Sequence, residues 1–326
     1  MKRIPIMSRV TMENENKARL ISTLKNSGSW ILVSHVKPDG DTLGSASALF
    51  KIGLSLGKDV RWYGKDPFPE RYRFLFASDR YESVQSMPDI PEDSVVVALD
   101  VSTLDRGIEG MSKGEKLVVI DHHGDNARFG DINLIEDVSS VGEMVYCLAG
   151  DLNVAISADM AESIYVAIAT DTGGMTFSNT GGKTLRIVAD LLDCGLPLQR
   201  VVKMLYHNDT VERLHLWGRA YERAVRLDGL CYSWLYDADF EETHTDQDDT
   251  ESLVNSLMKI KDTKVAVLFV ENDKDVKVSL RSDGSLSVRE IAHLWNGGGH
   301  PCASGCRLTG PMDEVIARVL DSIYKR

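Results

Sequence analysis

Acidic and imidazole side chains come directly after apolar runs at three places in this sequence, and a fourth acid ends an apolar helical stretch. They are His35, Asp39 and Asp41 after the first run, Asp100 after the second, Asp121, His122 and His123 after the third, and Asp171 at the fourth place. Carboxylates and imidazoles can together hold two divalent ions, which clamp the attacking and leaving oxygens of a phosphoryl displacement. Imidazole favours a borderline metal such as Mn²⁺ over Mg²⁺. The pattern predicts a two-metal hydrolytic site with an activated water as the nucleophile.

Each of these acids has a structural explanation when it is taken alone. An aspartate after a strand is commonly a helix cap or a turn residue, and Asp41 could cap the helix that follows it. A pair of neighbouring histidines is usually a surface or packing feature. Four such places between His35 and Asp171 are hard to explain by capping alone, so their combination favours a functional site.

The apolar runs have the length and composition of buried β-strands: Ser29–Ser34, Ser94–Leu99 and Lys116–Ile120. Continuous β-branched runs suit a parallel sheet that is covered on both faces. Stretches with helical spacing of apolar residues follow: Asp41–Leu56, Ser140–Gly150, Ala158–Thr170 and Lys183–Cys194. We therefore predict an α/β fold with a doubly wound, mainly parallel sheet. Ligands of such sheets bind at the carboxyl ends of the strands, so the acids and imidazoles are expected on one rim.

The order of elements changes near residue 210. The remainder predicts strands at Leu230–Tyr236, Val265–Glu271 and Val276–Arg281, and helices at Ser252–Ile260 and Val288–Trp295. The acidic segment 237–250 is poor in apolar residues, which predicts a loop or a helix lead-in. We predict a catalytic metal-binding domain over residues 1–205, a helical linker over 206–226, and a smaller α+β domain over 227–326.

Composition limits the classes of partner. The chain has 326 residues and a formal net charge of −12, which argues against a protein that grips long duplex nucleic acid. No apolar run is long enough to span a bilayer, and the N-terminal segment turns charged before any signal-like core develops. The 5 cysteines are scattered and odd in number, which favours reduced thiols in the cytoplasm.

The motifs, taken in order, resemble those of DHH phosphoesterases. The matching segments are HVKPDGD, the lone Asp100, Asp121-His122-His123 and Asp171-Thr172-Gly173. The GGGH segment Gly297–His300 is similar to the mark of the associated DHHA1 domain. FGDIN and SSVGEMVY resemble the branch that contains bacterial nanoRNase/pAp-phosphatase proteins. The resemblance covers nearly the whole chain.

This resemblance implies roles for individual residues. One metal would be held by His35, Asp39 and Asp100, and the other by Asp41, Asp100, His122 and Asp171, with Asp100 bridging. The family places the second histidine, here His123, near the scissile phosphate. Substrate phosphate or a terminal nucleotide would be bound in the second domain by Arg281, Gly297, Gly298, Gly299 and His300. A glycine run lets backbone amides approach an anion closely, and an arginine offers a bidentate fork.

The first functional hypothesis is hydrolysis of dinucleotide-scale RNA to mononucleotides, with removal of the 3′-phosphate of pAp as a second activity. The expected cofactor is a pair of divalent ions, Mn²⁺ above others, and the substrate is expected in a cleft between the domains. The alternatives are a cyclic or linear di-adenylate phosphodiesterase, a RecJ-like single-strand exonuclease, a manganese pyrophosphatase and, outside the enzymes, a nucleotide-binding regulatory module. The sequence leaves association into a homodimer open.

Overall fold

The computed structural model describes residues 6–113, 116–207 and 209–325, and these form one compact unit up to His207 and a second one after it. The prediction that no secretory signal is present falls partly on residues 1–5, which lie outside the described residues. Within the described ranges, no helix is both long enough and apolar enough to cross a bilayer.

The first unit is built on a sheet whose six described strands are all parallel. The strands are β1 (Ser29–Ser34), β2 (Asp59–Gly64), β3 (Tyr81–Ser83), β4 (Ser94–Leu99), β5 (Leu117–Asp121) and β6 (Ile132–Ile135). Their order in the sheet is β3-β2-β1-β4-β5-β6. Every residue of β1, β4 and β5 is buried, as expected for strands covered on both faces. The predicted doubly wound parallel sheet is confirmed.

Six described α-helices pack into the core on one face of this sheet: α1 (Ile6–Asn26), α2 (Gly40–Ser55), α3 (Val141–Asp151), α4 (Ala158–Asp171), α5 (Gly182–Asp193) and α6 (Leu198–Tyr206). The other face is covered by loop and 3-10 residues, among them Val101, Ile108 and Met111. Helix α2 is buried along almost its whole length and packs closely on α4. A glycine makes this approach possible, because a Cβ on Gly44 would lie 2.4 Å from the carbonyl oxygen of Ser163. The contact fixes the start of α2 beside the end of α4, and both ends carry acids of the predicted site.

The second unit has a mixed sheet of its own, with the order β11-β12-β10-β9-β8-β7. Its elements are α7 (Val211–Glu222), β7 (Val225–Leu227), β8 (Leu230–Leu235), α8 (Asp237–Thr243), α9 (Leu253–Leu257), β9 (Val265–Asn272), β10 (Asp275–Ser282), α10 (Val288–His293), β11 (Gly298–His300), β12 (Ala303–Leu308) and α11 (Met312–Tyr324). β8 and β9 are parallel, and the other neighbours are antiparallel. This agrees with the predicted α+β arrangement.

The acidic segment of this second half differs from the sequence-based prediction. The acidic segment expected as a loop or helix lead-in forms the helix α8 and a short 3-10 turn, Gln247–Thr250. Phe240 is buried, and the Asp239 carboxylate accepts the backbone N–H of Tyr236 at the helix start. Helix α6 ends at Tyr206 and α7 begins at Val211. The limits 1–205, 206–226 and 227–326 stay predictions.

Candidate active site

The strand order of the first sheet reverses between β1 and β4, which lie side by side. β2 and β3 continue from β1 in one direction, and β5 and β6 continue from β4 in the other. A crevice for ligands opens at the carboxyl ends of the strands where a doubly wound sheet reverses in this way. Most of the predicted metal ligands follow β1, β4 and β5 at this point.

His35, Asp39 and Asp100 each place one ligand atom within 4.8 Å of the other two, and we call them the first ligand set. His35 Nε2 lies 3.5 Å from Asp39 Oδ1 and 3.3 Å from Asp100 Oδ2. The other ring nitrogen, Nδ1, is 2.8 Å from the carbonyl oxygen of Val36. A proton on Nδ1 leaves the Nε2 lone pair directed at the two carboxylates, the tautomer that a metal-binding histidine needs.

Asp39 is also the N-cap of α2, since its Oδ1 accepts the backbone N–H groups of Asp41 and Thr42 at 3.1 and 3.2 Å. The capping explanation therefore applies to Asp39, whereas Asp41 lies inside the first turn. The side chain of Asp39 is 51% exposed. The exposed carboxylate of Asp39 thus caps α2 and also belongs to the first ligand set.

Asp41, His122 and Asp171 form a second group of ligand atoms within 4.8 Å of one another, the second ligand set. His122 Nε2 lies 3.6 Å from Asp41 Oδ2 and 3.1 Å from Asp171 Oδ2. Its Nδ1 is 3.0 Å from the carbonyl oxygen of Val138, which selects the same tautomer as in His35. Asp41 is fully buried. The chain thus brings together one side chain from the first turn of α2, one that directly follows β5 and one from the end of α4.

Asp100 lies between the two sets. Its Oδ2 faces His35 at 3.3 Å, and its Oδ1 faces His122 at 3.6 Å. The residue follows β4 in the left-handed region, with φ 61°, which is uncommon outside glycine and concentrates at functional sites. Because the backbone turns at Asp100 instead of continuing the strand, one carboxylate oxygen of Asp100 faces each ligand set.

His123 is held by the first residue of its own tripeptide. Its Nδ1 lies 2.8 Å from Asp121 Oδ1 and 3.3 Å from Asp100 Oδ1. Asp121 is the last residue of β5 rather than the residue after it, and it is fully buried. Its Oδ2 accepts the side-chain amide of Asn126 at 2.5 Å, and that amide also donates to the carbonyl oxygen of Val101. Asp121 and Asn126 therefore fix the orientation of the His123 ring.

The electrostatics of the cluster are dominated by crowded negative charge. Burial and the charges of Asp100 and Asp171 raise the pKa of Asp41 well above its ordinary value. Burial also opposes ionisation of Asp100, but the neighbouring imidazoles of His123 and His35 hold its pKa well below the usual range. A divalent cation at this point would replace the histidine protons as the balancing charge.

Arg106 is a neighbour of the site that the sequence reasoning missed. It ends a short 3-10 helix, Leu104–Arg106, and its carbonyl oxygen accepts the Val36 N–H at 2.8 Å. Its Nη2 lies 3.4 Å from His35 Nδ1. The signal in the sequence is only an arginine shortly after Asp100, and the β1–β4 pairing is what brings it beside His35.

The residues predicted to bind substrate lie in the second unit. Arg281 is on β10, with its Nε donating to Asn255 Oδ1 at 2.7 Å. Gly298, Gly299 and His300 form β11, which pairs with β12. β10 and β11 lie in the same sheet and are separated by β12.

The glycine run before His300 has a structural cause at two of its three positions. A Cβ on Gly297 would lie 2.2 Å from the carbonyl oxygen of Gly305, and one on Gly299 would lie 2.4 Å from that of Ala303. Gly299 also has φ 131°. Only at Gly298 would a side chain meet open space. Close approach to the β12 backbone, rather than to an anion, is therefore enough to require glycine at positions 297 and 299.

Comparison with known proteins identifies the lineage of this arrangement. Residues 29–168 match the model of the DHH family, N-terminal domain, and residues 228–325 match the DHHA1 domain. The chain is 31% identical over 312 residues to the bifunctional oligoribonuclease and PAP phosphatase NrnA of Thermus thermophilus, covering 94% of this chain and 93% of that protein. The chain belongs to the DHH phosphoesterase family.

Other relatives agree with this assignment. NrnA of Bacillus subtilis is 28% identical over 309 residues, which is 92% of this chain and 96% of the relative. The structure of an exopolyphosphatase-related protein from Bacteroides fragilis superposes with a TM-score of 0.85 at 26% identity, covering 95% of both chains. RecJ of Thermus thermophilus, solved in complex with Mn²⁺, shares the fold at a TM-score of 0.50 and 14% identity, covering 97% of this chain and 55% of that one. The predicted family and hydrolase class of this DHH phosphoesterase are confirmed.

Proposed function

We propose that this DHH phosphoesterase hydrolyses short oligoribonucleotides to mononucleotides, and pAp to AMP and phosphate, at a site formed by the two ligand sets with two divalent cations. The observation that carries the proposal is Asp100, whose two carboxylate oxygens face different ligand sets at 3.3 and 3.6 Å. Such a carboxylate is suited to bridging two cations.

The residues present fit a cation pair. Within the described chain, Asp100 Oδ1 is buried without a hydrogen-bond partner of good geometry, which is costly unless a ligand satisfies it. The donor atoms are a mixture of carboxylate oxygens and imidazole nitrogens, a set that suits Mn²⁺ better than Mg²⁺. When bound, the cation pair would supply an activated water and charge stabilisation at the phosphoryl group.

Two side chains of the protein would bind and orient the phosphate. His123, oriented by Asp121, directs its Nε2 side away from that hydrogen bond and can donate a proton or a hydrogen bond to a phosphate oxygen. Arg106 would add a guanidinium beside the first ligand set, where a negatively charged ester would be attracted. The two side chains are thus assigned to binding and orienting the scissile group.

For the second unit we propose that Arg281, the main chain at Gly297, Gly298 and Gly299, and His300 bind the phosphate or terminal nucleotide of the substrate. The open space at Gly298 leaves its backbone accessible to an anion, which supports this role at the middle position. The glycine requirement at its two neighbours has a separate structural explanation, so their contribution would be made through backbone amides alone.

The substrate class is proposed from the relatives named oligoribonuclease and PAP phosphatase. Both reactions cut a P–O bond next to a nucleoside and can use one cation pair. A cyclic or linear di-adenylate phosphodiesterase would use the same ligand sets, and so it is the second candidate.

The test is a hydrolysis panel with Mn²⁺ as the first cation, run beside Asp100→Ala. The panel contains 5′-phosphorylated di- to pentaribonucleotides, pAp, cyclic di-AMP, pyrophosphate and a long single-stranded DNA. We expect cleavage of the short RNAs and pAp, and no cleavage by the variant. Cleavage of the cyclic dinucleotide alone would replace the proposed substrate, and binding of nucleotide without any cleavage would replace the enzyme by a regulatory module.

We also propose that the protein acts in the cytoplasm, since its 5 cysteines are all free thiols in the structure and reduced thiols are the rule there. Size-exclusion chromatography with light scattering would test the open question of a homodimer.

A further inference from the structure

The backbone segment 138–142, which leads from β6 into the first turn of α3, contacts two members of the second ligand set. The carbonyl oxygen of Val138 lies 3.0 Å from His122 Nδ1. The N–H groups of Val141 and Gly142 donate to the two oxygens of Asp41 at 2.8 and 3.0 Å. Any displacement of this segment would therefore move two predicted ligands together.

The third member is attached to the same segment by Asn179. The side-chain amide of Asn179 donates to the carbonyl oxygens of Ser139 and Asp171, both at 3.1 Å. The end of α4, which carries Asp171, is thereby tied to the segment through one side chain. All three members of the second ligand set thus depend on where residues 138–142 lie.

The Glu143 side chain links that segment to helix α5. It is 1% exposed, and its Oε1 accepts hydrogen bonds from the hydroxyls of Ser139 at 2.6 Å and Thr184 at 2.5 Å. Its Oε2 lies 3.6 Å from the exposed Lys183 ammonium. Ser139 is inside the segment, whereas Thr184 and Lys183 begin α5, so the carboxylate clamps the segment to a different helix.

A capping role alone does not account for this arrangement. Ser140 and Glu143 have the spacing of a capping box, in which the glutamate would reach back to the N-cap backbone. Ser140 does cap α3 by accepting the Glu143 N–H at 3.3 Å. The Glu143 carboxylate is instead engaged by two hydroxyls from outside the helix, one of them 41 residues away in sequence.

We propose that Glu143 is a positioning residue for the second cation. It acts through Ser139 and the backbone of residues 138–142, and has no direct contact with the reacting atoms. The inference rests on the two-cation site proposed above. Its consequence is selective: the second ligand set depends on Glu143, whereas the first set is held by the β1–α2 loop and by Arg106.

The test compares Glu143→Leu with Glu143→Gln, which have similar side-chain volumes but differ in the acceptor oxygen. The measured quantities are the two Mn²⁺ dissociation constants, obtained by isothermal titration calorimetry on the full chain. For Glu143→Leu we expect one constant to rise by about 10- to 100-fold, the usual effect of removing a group that orients metal ligands, with the other little changed. Glu143→Gln should stay near the wild-type values, and excess Mn²⁺ should restore the kcat of the leucine variant.

The matched control is Glu162→Leu. Glu162 is another buried glutamate of the first unit, bonded to Arg200, and it touches neither ligand set. This variant should lower the unfolding midpoint and leave both Mn²⁺ constants unchanged. Should Glu143→Leu not fold, the double variant Ser139→Ala, Thr184→Val makes the same test by removing both donors.

Three results would overturn the proposal: unchanged Mn²⁺ constants in a folded Glu143→Leu protein, an equal loss in Glu143→Gln, or an equal loss in the Glu162→Leu control. Failure of the proposed function would look different. In that case the wild-type protein would bind two Mn²⁺ ions and cut none of the short RNAs or pAp, while the comparison of constants would still decide the role of Glu143.

Discussion

The two ligand sets differ in how the chain holds them. In the first set, His35 and Asp39 come from one short loop, and Asp39 is 51% exposed. In the second set, Asp41 is fully buried and accepts hydrogen bonds from two backbone amides and from Ser45. The set that contains the buried, hydrogen-bonded Asp41 should bind its cation more tightly than the set that contains the exposed Asp39, because less ordering of the carboxylate remains to be done on binding. The comparison therefore predicts one tightly held and one exchangeable cation.

The largest effect is expected where the two sets meet. Asp100→Asn removes the carboxylate that is shared by the two sets. Because both cations would lose a ligand at once, kcat for a dinucleotide should fall on the order of 10³-fold or more. Steady-state kinetics at saturating Mn²⁺ makes the measurement. The exposed Asp105→Asn serves as the control, and an Asp100→Asn enzyme within tenfold of wild type would contradict the bridging role.

The contrast between the sets is tested directly by Asp41→Asn against Asp39→Asn. The Asp41 change places an amide against the N–H groups of Val141 and Gly142, so it should weaken the tighter Mn²⁺ site by about 100-fold, at the upper end for disturbed metal ligation. Asp39→Asn keeps a capping oxygen and should weaken only the looser site, by about tenfold. Calorimetry resolves the two constants, and a reversed order would break the comparison.

Asp121→Asn separates orientation of His123 from cation binding. The asparagine has only one acceptor oxygen, whereas Asp121 accepts His123 and two backbone N–H groups at Oδ1 and the Asn126 amide at Oδ2. Its amide NH₂ must therefore face a donor on one side or the other, so the ring loses its fixed direction. We expect kcat to fall by about 100-fold, in the range of a lost proton-transfer group, with KM and both Mn²⁺ constants little changed. Loss of a Mn²⁺ ion in this variant would show instead that Asp121 is itself a ligand.

Cation binding should stabilise the protein as well as activate it. The crowded charges of Asp41, Asp100 and Asp171 are unfavourable without a cation, and ligand binding at 100 times Kd adds about 2.7 kcal/mol to the free energy of unfolding. Differential scanning fluorimetry with Mn²⁺ and with chelator measures the shift. Asp100→Asn should lose most of it, and a full Mn²⁺ shift in that variant would contradict this account of the cluster.

The smallest effect on activity is expected for a buried acid in the second unit. Asp239 is bonded to Arg223 through both of its oxygens. Burial opposes ionisation of Asp239, but the hydrogen bonds from Arg223 and the Tyr236 backbone outweigh it and lower the Asp239 pKa below 3.8. Asp239→Asn should therefore cost about 1.5–3 kcal/mol of unfolding free energy at pH 7 and leave kcat unchanged.

The pH dependence of that effect has a definite sign. A depressed folded-state pKa contributes stability above the unfolded pKa, and this stability is lost as pH falls through the folded value. The difference between wild type and Asp239→Asn should therefore shrink as pH falls below about 4. Urea unfolding at pH 7 and at pH 3 measures it, and a constant difference would show that ionisation of Asp239 is not its source.

The elements that carry the site could be predicted from the sequence because they are the most deeply buried. β1 and β4 are continuous apolar runs and appear with the predicted bounds, Ser29–Ser34 and Ser94–Leu99. β3 and β7 have only three residues each, too short for a periodic signal. The helix α8 was missed because its stability comes from the tertiary burial of Phe240 and from the Asp239 hydrogen bond, and neither is visible as a local pattern.

The residues of the candidate site also divide into those that sequence motifs predict and those that they do not. Side chains that directly follow strands were visible to motif reasoning, and the structure brings all six predicted ligands into the two sets. Arg106 and Glu143 were not singled out, since each reaches the site only through contacts with residues distant in sequence. Asn179 is similar: nothing about a loop asparagine predicts that it joins Ser139 to Asp171.

The most direct test of the central claim is the electron paramagnetic resonance spectrum of the protein loaded with two equivalents of Mn²⁺, recorded for wild type and Asp100→Asn. A carboxylate that bridges two cations keeps them close enough for magnetic exchange, as in other two-metal sites with separations of about 3.5–4 Å. We predict the multiline signal of a coupled pair in the wild-type protein and its loss in the variant. Two uncoupled Mn²⁺ ions in the wild-type protein, or a coupled pair that survives without Asp100, would contradict the account.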